Sequence, residues 1–175
     1  MEYQIKKIKP YQQNQLSKIL VEVYFKSYTR QDFLFPHTIR NKYLLKLKDL
    51  KKYLQKPCCN IYVAVSSNNK VLGGIFYCSD LKEYGLQLKT NKGRTSALRY
   101  LAVDDNFRGL GIGQALVQAC INHAKKDKKD KIFLHTLNSM KNASKIYEKE
   151  GFQRFKHIDF RNYGFEVKGY CKVLF

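Results

Sequence analysis

The sequence predicts an α/β fold in which strands and helices alternate around one sheet. Three observations carry this. Residues 61–65, 71–78 and 132–137 are short apolar runs rich in β-branched and aromatic side chains, as strands are. Leu16, Ile19, Leu20, Val23 and Tyr24 recur at the spacing of one helix face. The apolar run 98–103 leads into Arg108-Gly109-Leu110-Gly111-Ile112-Gly113 and then an amphipathic stretch, which reads as strand, turn and helix.

The remaining elements follow in order. Residues 3–9 alternate and form a first strand that Pro10 stops. A helix over about 12–28 carries the apolar face already named. Residues 33–37 break the pattern, and a second helix is expected from about 39 to 55, with Tyr43, Leu44, Leu47, Leu50 and Leu54 on one face and Pro57 past its end. Ser67-Asn68-Asn69 turns the strand 61–65 into its partner 71–78. Leu86, Leu88 and Thr90 alternate within 79–96, which reads as a strand extension or an excursion over the site. Residues 113–126 form a helix carrying Leu116, Ala119, Cys120 and Ala124, and 125–131 a solvated connection. A short helix over 143–150 ends at Gly151, and 153–160 and 164–174 close the sheet. The order is β-α-α-β-β-β-α-β-α-β-β.

The 175 residues are the size of one domain, and 44% apolar content suffices for a core. Lys and Arg number 33 against 14 Asp and Glu, a net charge of +19, which favours anionic partners. A nucleic acid is one such partner, but the excess is mostly Lys spread along the chain, and a basic groove for an anionic cofactor uses the same charge. The five cysteines, Cys58, Cys59, Cys78, Cys120 and Cys171, are odd in number and contain no C-x-x-C pair. Neither a disulfide framework nor a zinc site is suggested, and no metal is expected. With no apolar leader and no membrane-length apolar run, the reading is a cytoplasmic protein.

The glycine turn carries the first chemistry. A helix start leaves backbone N–H groups unpaired, and these with the positive end of the helix dipole suit a diphosphate. Glycine lets the phosphate approach the backbone, and Arg108 adds a charge at the mouth. Gly109, Gly111 and Gly113 do not fit G-x-G-x-x-G, and no Gly-Lys-Ser/Thr follows, so neither the dinucleotide fingerprint nor the Walker loop is present.

The pattern R/Q-x-x-G-x-G/A does fit, at Arg108, Gly111 and Gly113, and resembles the coenzyme A loop of the GNAT superfamily of N-acetyltransferases. Leu101-Ala102-Val103 resembles that family's L-x-V strand end, and residues 142–152 resemble its A-x-x-x-Y-E-K-x-G-F helix and turn. The resemblance implies a single GNAT domain over 1–175, with a mixed central sheet of about seven strands flanked by about four helices. It implies two strands splayed at the cofactor site, and acetyl-CoA as cosubstrate.

By resemblance, Leu101, Ala102 and Val103 pair with the pantetheine arm, and Gly109, Leu110, Gly111, Ile112, Gly113 and Gln114 cup the pyrophosphate. Asn138 or Asn142 reaches the arm from the other side, or else caps the helix at Ala143. Tyr147 is the catalytic candidate, donating a proton to the departing thiolate; packing a helix onto the sheet is the alternative. A backbone N–H near Val103 would polarise the acetyl oxygen. The Glu this family often carries on its central strand has no counterpart where Arg99 and Tyr100 stand. Asp80, Glu83, His37 and His135 are the other candidates for a base, each with a packing or surface alternative.

The expected activity is acetyl transfer from acetyl-CoA to a primary amine, the acceptor unidentified. Alternatives are acetylation of a macromolecule (a protein N-terminus, a lysine or aminoacyl-tRNA) or a non-catalytic acyl-CoA-sensing module. Strand edges near the C-terminus allow a homodimer, and no membrane partner is expected.

Overall fold

The computed structural model describes residues 1–29, 37–84, 94–162 and 165–175. Strand β1 spans Tyr3–Lys7, and after a 3-10 turn at Pro10–Gln12 helix α1 spans Gln13–Thr29. Helix α2 covers His37–Lys48, and α3, one turn long, covers Lys51–Leu54. Strands β2 (Cys59–Ser66) and β3 (Val71–Cys78) form a hairpin, followed by the short α4 (Leu81–Tyr84) and β4 (Thr95–Val103). Helix α5 (Ile112–Lys126) leads to β5 (Lys131–Leu137), then α6 (Lys141–Lys149), β6 (Gln153–Arg154), β7 (Phe160–Asn162) and β8 (Phe165–Val173).

The strands form one eight-stranded sheet in the order β1-β2-β3-β4-β5-β8-β6, with β7 paired to β8. Among the described strands only β4 and β5 run parallel; every other pair is antiparallel. A parallel pair needs a crossover, and α5 supplies it.

Each face of the sheet buries one layer of helices. Leu16, Ile19, Leu20, Val23 and Tyr24 of α1 pack with Leu44 and Leu47 of α2 against Val63, Phe76 and Ala102. On the other face Ile112, Leu116, Val117, Cys120, Ile121 and Ala124 of α5 cover Leu72, Ile75, Leu98, Ile132 and Leu134. Both helices keep the i, i+3, i+4, i+7 stripe that amphipathic packing requires. Among the described residues no helix is long and apolar enough to cross a membrane.

Three expected elements are corrected. The helix expected over 39–55 breaks after Lys48, because the Ser17 hydroxyl donates to the carbonyls of Leu47 (3.0 Å) and Lys48 (3.3 Å) and so ends α2. Leu44, Leu47 and Leu50 nevertheless share one buried cluster. Residues 81–84 of the expected strand extension are a helical turn, with the Asp80 carboxylate accepting from the Lys82 N–H at 2.9 Å; Leu86, Leu88 and Thr90 lie outside the described residues. The strand expected over 153–160 is instead a two-residue strand, a 3-10 turn at Lys156–Ile158 and the start of β7. The turn crosses directly over Gly169 of β8, where any Cβ would overlap the Ile158 side chain.

Candidate active site

The site begins where two strands part. Pairing between β4 and β5 runs from Thr95–Lys131 to Leu98–Leu134 and stops there, although β4 continues to Val103 and β5 to Leu137. A bulge drives the separation. Gly74 of β3 pairs with Ala102 and Phe76 with Arg99, so Ile75 alone opposes both Tyr100 and Leu101. Tyr100 takes a left-handed φ of 54°, which is costly for a bulky side chain. Its ring is held by Phe76 (5.1 Å between centroids), Tyr53 (5.8 Å) and Tyr24 (6.0 Å).

Beyond the bulge, Leu101, Ala102 and Val103 line a groove of 730 Å³. Arg108, Gly109, Gly111, Ile112, Gly113 and Gln114 form one end of it, and Met140, Asn142, Ala143 and Ile146 form a wall. Leu110 is exposed at the rim and outside this lining; its carbonyl accepts from the Tyr3 hydroxyl at 3.4 Å.

The turn has the backbone that anion binding needs. Gly109 and Gly111 have φ of 80° and 75°, with Gly111 as the N-cap of α5. The first bond into the helix runs from the Ala115 N–H to the Gly111 carbonyl at 3.0 Å. Among the described residues, the N–H groups of Gly109 through Gln114 make no hydrogen bond. A Cβ on Gly109 would meet no protein atom within 4 Å, so the space it would fill is open to a ligand. Cationic side chains surround this end: Lys26, Arg108, Lys141, Lys145 and Lys149 all line the groove. Asp105 holds two of them, Arg108 at 2.6 Å and Lys26 at 2.9 Å. The Gln114 side chain is turned to Glu150 (2.7 Å), which leaves its backbone N–H as its contribution. The donor-rich turn and cationic rim fit a diphosphate-bearing cofactor.

The asparagines separate. Asn142 lines the groove, whereas Asn138 does not; its N–H donates to the Glu166 carbonyl at 3.3 Å. Neither caps α6, whose N-cap is Met140 without a side-chain bond. Tyr147 is buried and is not among the lining residues, although Ala143 and Ile146 of its helix are. Its ring packs against Phe152 (5.9 Å) and Tyr170 (6.4 Å). Burial pushes the phenol well above its ordinary pKa, so it stays protonated at neutral pH. Among the described residues its hydroxyl makes no hydrogen bond. Gly151 closes the helix with φ of 80°, its N–H bonding the Glu148 carbonyl (3.0 Å) while the Phe152 N–H reaches that of Tyr147 (2.9 Å).

Of the expected bases, the side chains of His37 and Glu83 lie outside the described residues. His135 has both ring nitrogens engaged: Nε2 donates to the Ile158 carbonyl (2.8 Å), and Nδ1 accepts from the Tyr84 hydroxyl (2.9 Å). Burial lowers its pKa, Arg99 lowers it further, and the Ile158 bond opposes both. Sequence reasoning missed Val23, Lys26 and Ser27 of α1, whose i, i+3, i+4 spacing is the only signal of their common face.

The model of the acetyltransferase (GNAT) family matches residues 15–152, and the chain belongs to that family. An N-acetyltransferase of Dictyostelium discoideum, described as uncharacterized, is 41% identical over 58 residues; the stretch covers 33% of this chain and 27% of that protein. A GNAT-family acetyltransferase from Staphylococcus aureus Mu50 superposes with a TM-score of 0.74 at 17% identity, covering 99% of each chain. The yncA protein of Salmonella typhimurium, solved with its cofactor acetyl-CoA, gives 0.68 at 12% identity, over 98% of this chain and 94% of that one. A chain of the NatC complex bound to Gag peptide and CoA gives 0.66 at 20% identity, covering 100% of each. These three share the fold.

Proposed function

We propose that the protein is an acetyl-CoA-dependent N-acetyltransferase that acts on a primary amine by direct attack. The observation that carries this is the run of unpaired N–H groups from Gly109 to Gln114 at one end of a groove whose side is the unpaired stretch of β4. The turn and Arg108 hold the pyrophosphate, and Leu101, Ala102 and Val103 offer main-chain groups to the arm. Asn142 is placed to contribute from α6, and Asn138 stands outside the groove lining. The bound cosubstrate supplies an acetyl group activated as a thioester.

The chain's own residues supply the proton on the thiolate side, and the proton that the nitrogen sheds on forming the amide passes to water. Tyr147 follows Ile146, which lines the groove, and its phenol is kept protonated with no acceptor among the described residues; a small turn of α6 or of the ring toward the groove makes it a donor to developing negative charge. No described carboxylate stands at the splay to take the amine's proton. An acceptor with a low pKa, such as an α-amine near 7.7–8.0, is partly free at neutral pH and needs little help.

The test is acetyl transfer from acetyl-CoA to small amines, amino acids and peptides with free N-termini, with Tyr147→Phe beside the parent. Transfer that falls by about 10²–10⁴-fold in the variant, at unchanged CoA affinity, is the expected result. A protein that does not bind CoA overturns the proposal.

A further inference from the structure

At the point where β4 and β5 part stands a guanidinium whose charge no carboxylate of the described residues matches. Arg99 follows Leu98, the last β4 residue paired to β5. Its guanidinium carbon lies over the rings of Tyr84 (5.0 Å to the centroid) and Tyr100 (4.7 Å). Among the described residues its one hydrogen bond runs from Nη1 to the Tyr84 carbonyl at 3.2 Å. Among the described residues no Asp or Glu pairs with it.

A guanidinium carries five N–H donors in a planar fork, so most of those of Arg99 remain unused. The side chain is only partly exposed, and a charge withdrawn from water is costly unless an anion meets it. The described surroundings supply none. Tyr43, Tyr53, Tyr84 and Tyr100 are the phenols that interact with it, and burial pushes those of Tyr53 and Tyr84 well above their ordinary value, away from the charged form. His135 is the next residue of β5 after Leu134 and sits opposite Arg99 across the parting strands; its imidazole is neutral and bound to Tyr84.

The group is also rigid. Tyr84 is fixed by its hydroxyl on His135 and its ring stacked on the imidazole (5.6 Å, 14°). Tyr100 is fixed by the bulge, and its hydroxyl lies 3.3 Å from that of Tyr53. In that pair one O–H donates to the other, and the second is left to donate elsewhere. An immobile fork with spare donors beside a spare hydroxyl is an anion receptor.

We infer that Arg99 binds a carboxylate carried by the acceptor amine, so that the acceptors are free amino acids rather than simple amines. This rests on the acetyltransferase reading above. Arg99 is not itself in the groove lining but stands two residues before Leu101, which is, so on the acetyltransferase reading a carboxylate on it belongs to a group at the splayed end of the groove. An α-amino acid has that arrangement, with the carboxylate one carbon from the amine; that carboxylate makes its amine more basic than a peptide N-terminus, and pairing the carboxylate with Arg99 offsets the difference. A purely structural role, as a cation packed between two rings, makes the opposite prediction: the charge of the acceptor is immaterial.

The experiment titrates the CoA-saturated protein with the proteinogenic amino acids and with their carboxamides by calorimetry, and measures acetyl transfer to the same pairs. At least one amino acid is expected to bind and react with its carboxamide about 10- to 100-fold weaker, the loss of one charge-assisted bond. Arg99→Gln is expected to abolish that gap at unchanged CoA affinity, and Arg99→Lys to keep part of it. Equal use of acids and carboxamides, a gap that survives in Arg99→Gln, or transfer to carboxylate-free amines alone overturns the inference. If Arg99→Gln does not fold, the parent's comparison and Arg99→Lys decide. Loss of CoA binding by the parent would instead overturn the acetyltransferase reading; retained CoA binding without an acid preference overturns only the role of Arg99.

Discussion

Leu98 and Leu134 are the last residues at which β4 and β5 pair, and the strands diverge because Tyr100, two residues on, occupies a bulge at positive φ. The divergence is therefore maintained by packing around one ring. Tyr100 is 5% exposed, and Tyr24, Tyr43, Tyr53 and Phe76 all touch it.

Tyr100→Ala should destabilise the protein by about 3–5 kcal/mol, the usual cost of deleting a buried aromatic ring. Tyr100→Phe keeps the ring and loses only the 3.3 Å contact to Tyr53, so it should cost about 1 kcal/mol or less. Urea unfolding of both variants measures the difference. Equal effects would show that the hydroxyl pair, and not the ring cluster, holds the bulge.

Gly109→Ala separates the turn's shape from its ligand. The protein has room for the methyl, so the folding cost is the left-handed strain alone, about 1–2 kcal/mol. On the proposed function the methyl points where phosphate oxygens belong, and the Kd for CoA should rise by about tenfold or more, about 1.4 kcal/mol. Calorimetric titration with CoA checks this; an unchanged Kd would place the diphosphate elsewhere.

Much of this site was legible in the sequence because its signals are local. Arg108, Gly111 and Gly113 mark a turn whose conformation neighbouring residues determine, and the Tyr147–Phe152 ending is a local hydrogen-bond pattern. What was not legible depends on distant chain. Nothing in the residues around Tyr100 announces positive φ, since the ring partners come from α1, α2, α3 and β3. The break between α2 and α3 is made by Ser17, which lies on another helix. Arg99 reads as an unremarkable strand residue until Tyr84 is placed over it.

His135 should give a pH dependence of known sign. Its folded pKa lies below the ordinary 6.5, chiefly through burial, so between those values the unfolded chain binds a proton that the folded protein does not. Stability then rises with pH through that window and is lost as pH falls below about 6.5. The charged groups acting on it are Arg99, which disfavours protonation, and Asp159, which favours it. The melting temperature of the parent should drop between pH 7 and pH 5, and the drop should be smaller in His135→Gln. Identical slopes would assign the effect to other groups.

Asp159 joins three elements and should respond to acid in a lower range. Its Oδ2 accepts from Arg154 Nη2 at 2.7 Å, and its Oδ1 accepts from Arg154 Nη1 at 3.1 Å and from the Gly169 N–H at 2.7 Å. The same guanidinium also donates to the Gly169 carbonyl, so β6, the turn after it and β8 are fastened at one point. The Arg154 bonds hold the carboxyl below its ordinary value of 3.8 and outweigh the opposing desolvation. A depressed carboxyl pKa contributes stability that is present above the unfolded value and is lost as pH falls through about 3.9 toward the folded one. The pair is little more than a quarter exposed, at 28% and 27%, so solvent screening is partial. Asp159→Asn should cost about 1–3 kcal/mol at pH 7 and lose this part of the acid sensitivity. Denaturant unfolding at pH 7 and pH 3.5 tests both claims. A variant as stable as the parent at pH 7 would mean that the main-chain pairing of β6 with β8 holds this corner without the carboxylate.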